Sequence, residues 1–181
     1  ALLQAMSTTR VWNDAIADEV LRKEDAVDHY EDVLGTYLVK LSAKHLSVED
    51  NRTVNTLLHT IGDFERVSDH AVNLIKTAEE IRDKSIKFSD EALGDLSVLE
   101  AAVQDIVNRT VDAFQKGDTY AAKKIEPLEQ VVDGLVREVK SRHIARLQAG
   151  ACTIEYGFVL DDLLTNYERI ADHCSNIAVA M

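Results

Sequence analysis

The chain has 181 residues, is 46% hydrophobic, and carries 32 acidic against 20 basic side chains for a net charge of −12. Such acidity argues against a nucleic-acid partner, because phosphate backbones are gripped by clustered Lys and Arg. Seven Gly and one Pro are too few for the turns of an all-β fold, and two Cys without a CxxC spacing form no disulfide framework, so free thiols in a reducing compartment are expected.

Residues 1–11 read as the tail of a helix, with Leu2, Leu3 and Met6 apolar. Asn13 is a plausible N-cap for a second helix running to about residue 45, whose buried side is predicted to hold Ile16, Val20, Val27, Tyr30, Val33, Leu34, Tyr37, Leu38 and Leu41. The stretch Ser47 to Asp50 has the shape of a capping box and opens a third helix to about residue 84. Its inner face carries Leu57, Ile61, Phe64, Ala71 and Ile75. A fourth helix starts at Ser89 with acids in its first turn and ends at Gly117. Asp118 caps a fifth, running to about residue 148 with a kink expected at Pro127. Gly150 closes that helix and Thr153 opens the sixth. No strand-like alternation survives, no apolar run has the length of a membrane span, and no signal peptide is visible.

One stretch occurs twice. Asp63-Phe64-Glu65-Arg66-Val67-Ser68-Asp69-His70-Ala71-Val72-Asn73 is matched by Asn166-Tyr167-Glu168-Arg169-Ile170-Ala171-Asp172-His173-Cys174-Ser175-Asn176, 103 residues later. A second pair, Glu24 with Asp28 and Glu129 with Asp133, repeats at an offset of 105. The expected fold is therefore all-α: six helices in two tandem antiparallel three-helix bundles, residues 1–86 with a truncated first helix and residues 87–181.

Helical spacing places each Glu and Asp, four apart, on one face. Taking about 100° per residue, Glu65 and Asp69 lie roughly 110–150° from the mean apolar direction of their helix, beside the core rather than within it. Glu168 and Asp172 are similarly displaced, with Asp161 in the same row. Solvated surface acids are the bland alternative. Against it, eight carboxylates grouped as two sets of four repel one another unless cations intervene. Glu24, Asp28, Glu65 and Asp69 in the first half, with Glu129, Asp133, Glu168 and Asp172 in the second, are thus candidate metal ligands. Oxygen-only donors select hard cations such as magnesium, calcium, manganese or ferric iron. His70 and His173 point about 100° away from the acid row and read as orienting or packing residues. A ferritin-like di-iron centre needs Glu-x-x-His, and Ser68 or Ala171 stands at that position. Nor is there a nucleophile motif, a phosphate-cradling Gly loop or a zinc-hydrolase motif, so no enzyme is expected.

At these residues the chain resembles the PhoU family of phosphate-uptake regulators, marked by a repeated E(D)xxxD motif on tandem three-helix bundles. Glu65 to Asp69 and Glu168 to Asp172 are similar to the family's central motif, Glu24–Asp28 and Glu129–Asp133 to its second pair. The segments His143 to Leu147, Gly150 to Thr153 and Leu163 to Ile177 further resemble the cytosolic C-terminal domain of bacterial sodium/phosphate cotransporter-family proteins. The resemblance implies a non-enzymatic, metal-binding regulatory domain in phosphate transport or homeostasis, at the cytoplasmic face of the cell membrane. It implies a membrane transporter domain on the same chain and a homo-oligomer, a dimer first. Iron is one implied occupant, with zinc, magnesium, manganese or calcium as others. A standalone regulator of phosphate uptake is the alternative within the family. An acidic helical adaptor without metal, docking a basic partner, is the alternative outside it.

Overall fold

The computed structural model describes residues 1–181 and is entirely helical. Its elements are α1 (Leu2–Thr8), α2 (Asp14–Ser42), α3 (Val48–Asp83), α4 (Asp90–Lys116), a single turn α5 (Thr119–Ala122), α6 (Ile125–Gln148) and α7 (Ile154–Ala180). Helices α1, α2 and α3 form one antiparallel bundle, and α4, α6 and α7 the other.

Local chemistry sets the boundaries. Orphan backbone N–H groups at a helix start need acceptors, and short polar side chains supply them. Asn13 accepts from the Ile16 N–H at 3.2 Å, Ser89 from Ala92 at 3.2 Å and Thr153 from Tyr156 at 3.3 Å. Ser47 accepts from the Asp50 N–H at 3.0 Å, and its hydroxyl donates to the Asp50 carboxylate at 2.6 Å. Gly117 ends α4 at φ 61°, where a Cβ is disfavoured.

The expected kink at Pro127 is instead a break. Asp118 caps only α5, the chain turns at Lys123 and Lys124, and α6 begins at Ile125. Pro127 then lies in the first turn, where its missing N–H costs nothing and its ring meets no helical carbonyl behind it.

The second departure concerns α2. Val20 and Leu38 are buried as expected, but Tyr30, Val33, Leu34 and Tyr37 are exposed. Helix α1 spans only Leu2–Thr8, about two turns. It packs on α3 and the start of α2 and leaves the outer half of α2 without a third helix.

A single apolar core runs through both bundles, from Leu2, Met6 and Val20 through Leu74 and Ile75 to Leu99, Ile106, Val136, Leu163 and Ile170. At its centre α3 and α7 lie side by side and antiparallel, joined at one end by Thr56 donating to the Ala180 carbonyl at 3.1 Å. Phe64 of α3 meets Phe114 of α4 edge-on, with ring centres 4.9 Å apart. The two repeated motifs sit on this central pair, which fixes their relation to each other.

Candidate metal centres

In the second half, Glu129 and Asp133 of α6 face Asp172 of α7. One carboxylate oxygen from each lies within 4.8 Å of the others. That spread suits one cation, since oxygen ligands sit about 2.0–2.6 Å from magnesium, manganese or calcium. One face of α6 supplies the first two acids, four residues apart, and the α7 stripe of Leu163, Leu164, Ile170 and Ile177 turns Asp172 toward them. Glu168, predicted to join them, is half-buried one turn away and is not one of the three converging groups. Asp161 is not one of the converging acids: it is exposed and pairs with Lys140 of α6 at 2.8 Å.

Electrostatics marks the same place. Partial burial, then the carboxylates of Asp133 and Asp172, hold Glu129 above the usual carboxylate range. Arg137 lies 3.6 Å from Asp133, and Arg169 donates to Asp172 at 3.0 Å. These exposed guanidiniums offset only part of the repulsion. Asp133 Oδ1 is buried with no hydrogen-bond partner. An acceptor shielded from water in this way costs about 1–3 kcal/mol unless a donor or cation meets it. The donor set and the unpartnered oxygen both fit a hard cation.

The first half repeats the arrangement on α2 and α3. Burial, followed by Asp69 across the helix pair and then Asp25 and Asp28 on its own helix, raises Glu24. Burial, then the Asp69 carboxylate, raises Glu65, which also feels Glu31 of α2. Arg66 donates to Asp69 at 3.0 Å and lies 3.5 Å from Glu65. Glu24, Glu65 and Asp69 therefore share one field. Asp28 is exposed, and no three acids of this half meet as closely as the trio of the second.

The histidines hold the motifs together in a way the spacing did not reveal. His70 Nδ1 lies 2.8 Å from Asn166 Oδ1, and His173 Nδ1 lies 2.8 Å from Asp63 Oδ1. Each bond crosses from one half to the other. The signal was present in the repeat, because Asp63 and Asn166 occupy its first position, seven residues and two turns before each His on the same face.

Comparison with known proteins agrees with the internal repeat. The model of the PhoU domain matches residues 2–78 and residues 96–181. A phosphate-specific transport system accessory protein PhoU homolog of Thermotoga maritima is 22% identical over 178 residues, covering 98% of this chain and 76% of the relative. A homolog with the same description from Aquifex aeolicus is 25% identical over 174 residues, covering 93% of this chain and 76% of the relative. The crystal structure of PhoU from Pseudomonas aeruginosa superposes with a TM-score of 0.90 at 20% identity, covering 99% of this chain and 85% of that one. These likenesses overturn the expected membrane transporter domain on the same chain and the cotransporter branch. The relatives are named as accessory proteins of a transport system and are matched over more than nine-tenths of this chain. Both halves carry the family's domain, and the chain belongs to the PhoU domain family.

Proposed function

We propose that this chain is a standalone PhoU-type regulator of phosphate uptake, non-enzymatic, whose two acid clusters hold metal ions. The relatives' names, which place them as accessory proteins of a phosphate-specific transport system, support the role. The observation that carries the metal reading is the convergence of Glu129, Asp133 and Asp172 on facing helices, in a motif the chain repeats. In the second half these three residues hold the cation, with Glu168 adjoining. In the first half Glu24, Glu65 and Asp69 hold it, with Asp28 adjoining. A bound cation supplies positive charge that cancels the carboxylate repulsion and ties α2 to α3 and α6 to α7.

Elemental analysis after loading with manganese or ferrous iron and desalting tests the sites. Asp172→Ala and Asp69→Ala are each expected to lose the metal of their own half while the helical circular-dichroism signal stays near that of the parent. Alanine variants that keep the parent's metal content would show the ligands to be misassigned. A parent that retains no metal would favour the acidic adaptor. Complementation tests the regulatory role: in a bacterium whose own PhoU is deleted, the chain is expected to restore repression of phosphate uptake in phosphate-rich medium.

A further inference from the structure

The hydrogen bonds between α3 and α7 form a closed, two-fold pattern. Shifting every residue by the repeat offset of 103 turns the bond between His70 and Asn166 into the bond between His173 and Asp63. The donors are fixed by their surroundings. Asn166 gives its Nδ2 to the Asp162 carbonyl at 2.8 Å, so its Oδ1 is left to accept from His70 Nδ1. Asp63 Oδ1 accepts from His173 Nδ1 and from Asn176 Nδ2, the latter at 3.2 Å. The two imidazoles lie against each other, with ring centres 5.6 Å apart and planes tilted by 34°.

Each histidine directly follows the motif Asp of its own half, and each acceptor lies two residues before the motif Glu of the other. Asp69 thus faces its acid cluster while its neighbour His70 holds the helix that carries Glu168 and Asp172. Asp172 and His173 do the reverse. The residues between are short or buried: Ser68 and Ala171 lie within the protein, and Tyr167 is fully covered. Neither α3 nor α7 can rotate about its own axis without straining both braces.

We propose that His70 and His173 are reciprocal positioning residues coupling the two acid clusters, so that a cation bound in one half raises the affinity of the other. This rests on the reading of those clusters as metal sites. The physical route is ordering. In an empty cluster the carboxylates repel one another, and the first cation must fix the rotamers and tilt of one motif helix. Through the crossed hydrogen bonds that order reaches the second motif helix, so the second cation meets ligands already placed, and cooperativity follows without a large change of shape. The coupling is the same in both directions by linkage.

Calorimetric titration of the full chain with Mn²⁺ tests it, with Asp69→Ala and Asp172→Ala reporting the second and first sites alone. The parent is expected to bind its second Mn²⁺ at least about fivefold more tightly than the isolated sites predict, the lower end of usual allosteric coupling. In the double variant His70→Leu/His173→Leu the isotherm is expected to collapse to the sum of two independent sites. The double variant His70→Asn/His173→Asn, which keeps a short polar group near the place of each Nδ1, is expected to retain the excess. A brace that merely held the fold together would lower the melting temperature without altering that ratio. Should the leucine pair unfold, the asparagine pair and Asp63→Leu carry the same comparison. Independent sites in the parent, or unchanged cooperativity once the braces are removed, would overturn the coupling while leaving the metal sites intact. Absence of Mn²⁺ uptake by the parent would overturn the metal reading, and the coupling with it.

Discussion

Helix α4 runs 27 residues along α6 and α7, whereas α1, its counterpart in the repeat, gives α2 and α3 only seven. The consequences are graded along the molecule. Leu96, Leu99, Val103 and Ile106 of α4 are buried at every turn, so the second half is a filled bundle. In the first half α2 buries only Ala17, Val20 and Leu38, and its outer turns present Tyr30, Val33, Leu34 and Tyr37 to solvent. The acid clusters follow the same order: three oxygens converge in the filled half, and no such trio forms in the open one. Adjacent helices bring ligands to a common point only when something behind them sets their separation. In the first half α3 borrows that support from α7, through the shared core and the crossed histidine bonds.

The largest way to break this comparison is in the core. Leu99→Ala, at a fully buried site on α4, is expected to lower unfolding free energy by about 2–5 kcal/mol. Leu34→Ala, 44% exposed on α2, is expected to stay within about 0.5 kcal/mol. Urea unfolding measures both. Equal losses would mean that the outer turns of α2 are covered in solution.

A smaller contrast lies within the second half, between its two free thiols. Cys152 precedes α7 and is half-buried, with Sγ 3.8 Å from His143 Nδ1. Cys174 is buried on α7, and burial pushes its thiol up to about 11. Thiolate is the reactive form. With iodoacetamide at pH 8, Cys152 is expected to be labelled at least about a hundredfold faster than Cys174, read by mass spectrometry of the peptides. Comparable rates would show that α7 opens locally and that the filled half is less closed than its packing indicates.

Much of this organisation was legible in the residues. Asn13, Ser47, Ser89 and Thr153 declared helix starts because an N-cap needs a short polar acceptor at one position, and Gly117 declared an end. The repeat declared two like halves. Periodicity, however, reports which face of α2 is apolar, not whether anything lies against it, so Tyr30 and Tyr37 were placed inside. Spacing likewise put Glu168 and Asp172 on one face but could not say which side-chain oxygen would reach α6. The crossed histidine bonds join residues about a hundred positions apart, and only the antiparallel meeting of α3 and α7 brings them together. Whether Pro127 kinks a helix or sits harmlessly in its first turn depends on where that helix starts, and Asp118 marks the start of the single turn α5 rather than of α6.

The smallest effect bears most directly on the acid clusters, and its sign separates a metal site from a salt-bridged surface. Glu24, Glu65 and Glu129 are all held above the usual glutamate range, by burial first and neighbouring carboxylates next. A carboxyl whose folded value is raised binds its proton more tightly in the native state than in the unfolded chain. Its stabilising contribution is full below the ordinary glutamate value and is lost as pH rises through the raised one. The metal-free protein is therefore expected to lose stability between mildly acid and neutral pH from these groups. Glu129→Gln, which removes one charge from the tighter trio, is expected to stabilise the metal-free protein at pH 7 by a few tenths of a kcal/mol, the scale of a like-charge helix pair. Glu24→Gln should give less, because its cluster is more open. Saturating Mn²⁺ reverses the order: the parent gains stability by mass action, and Glu129→Gln, short of one ligand oxygen, gains less. Thermal melts with and without Mn²⁺ at pH 5 and pH 7 read all of these outcomes. A Glu129→Gln variant less stable than the parent without metal would mean that the trio is held by its arginines, and that its carboxylates are stabilising partners rather than an unfilled ligand set.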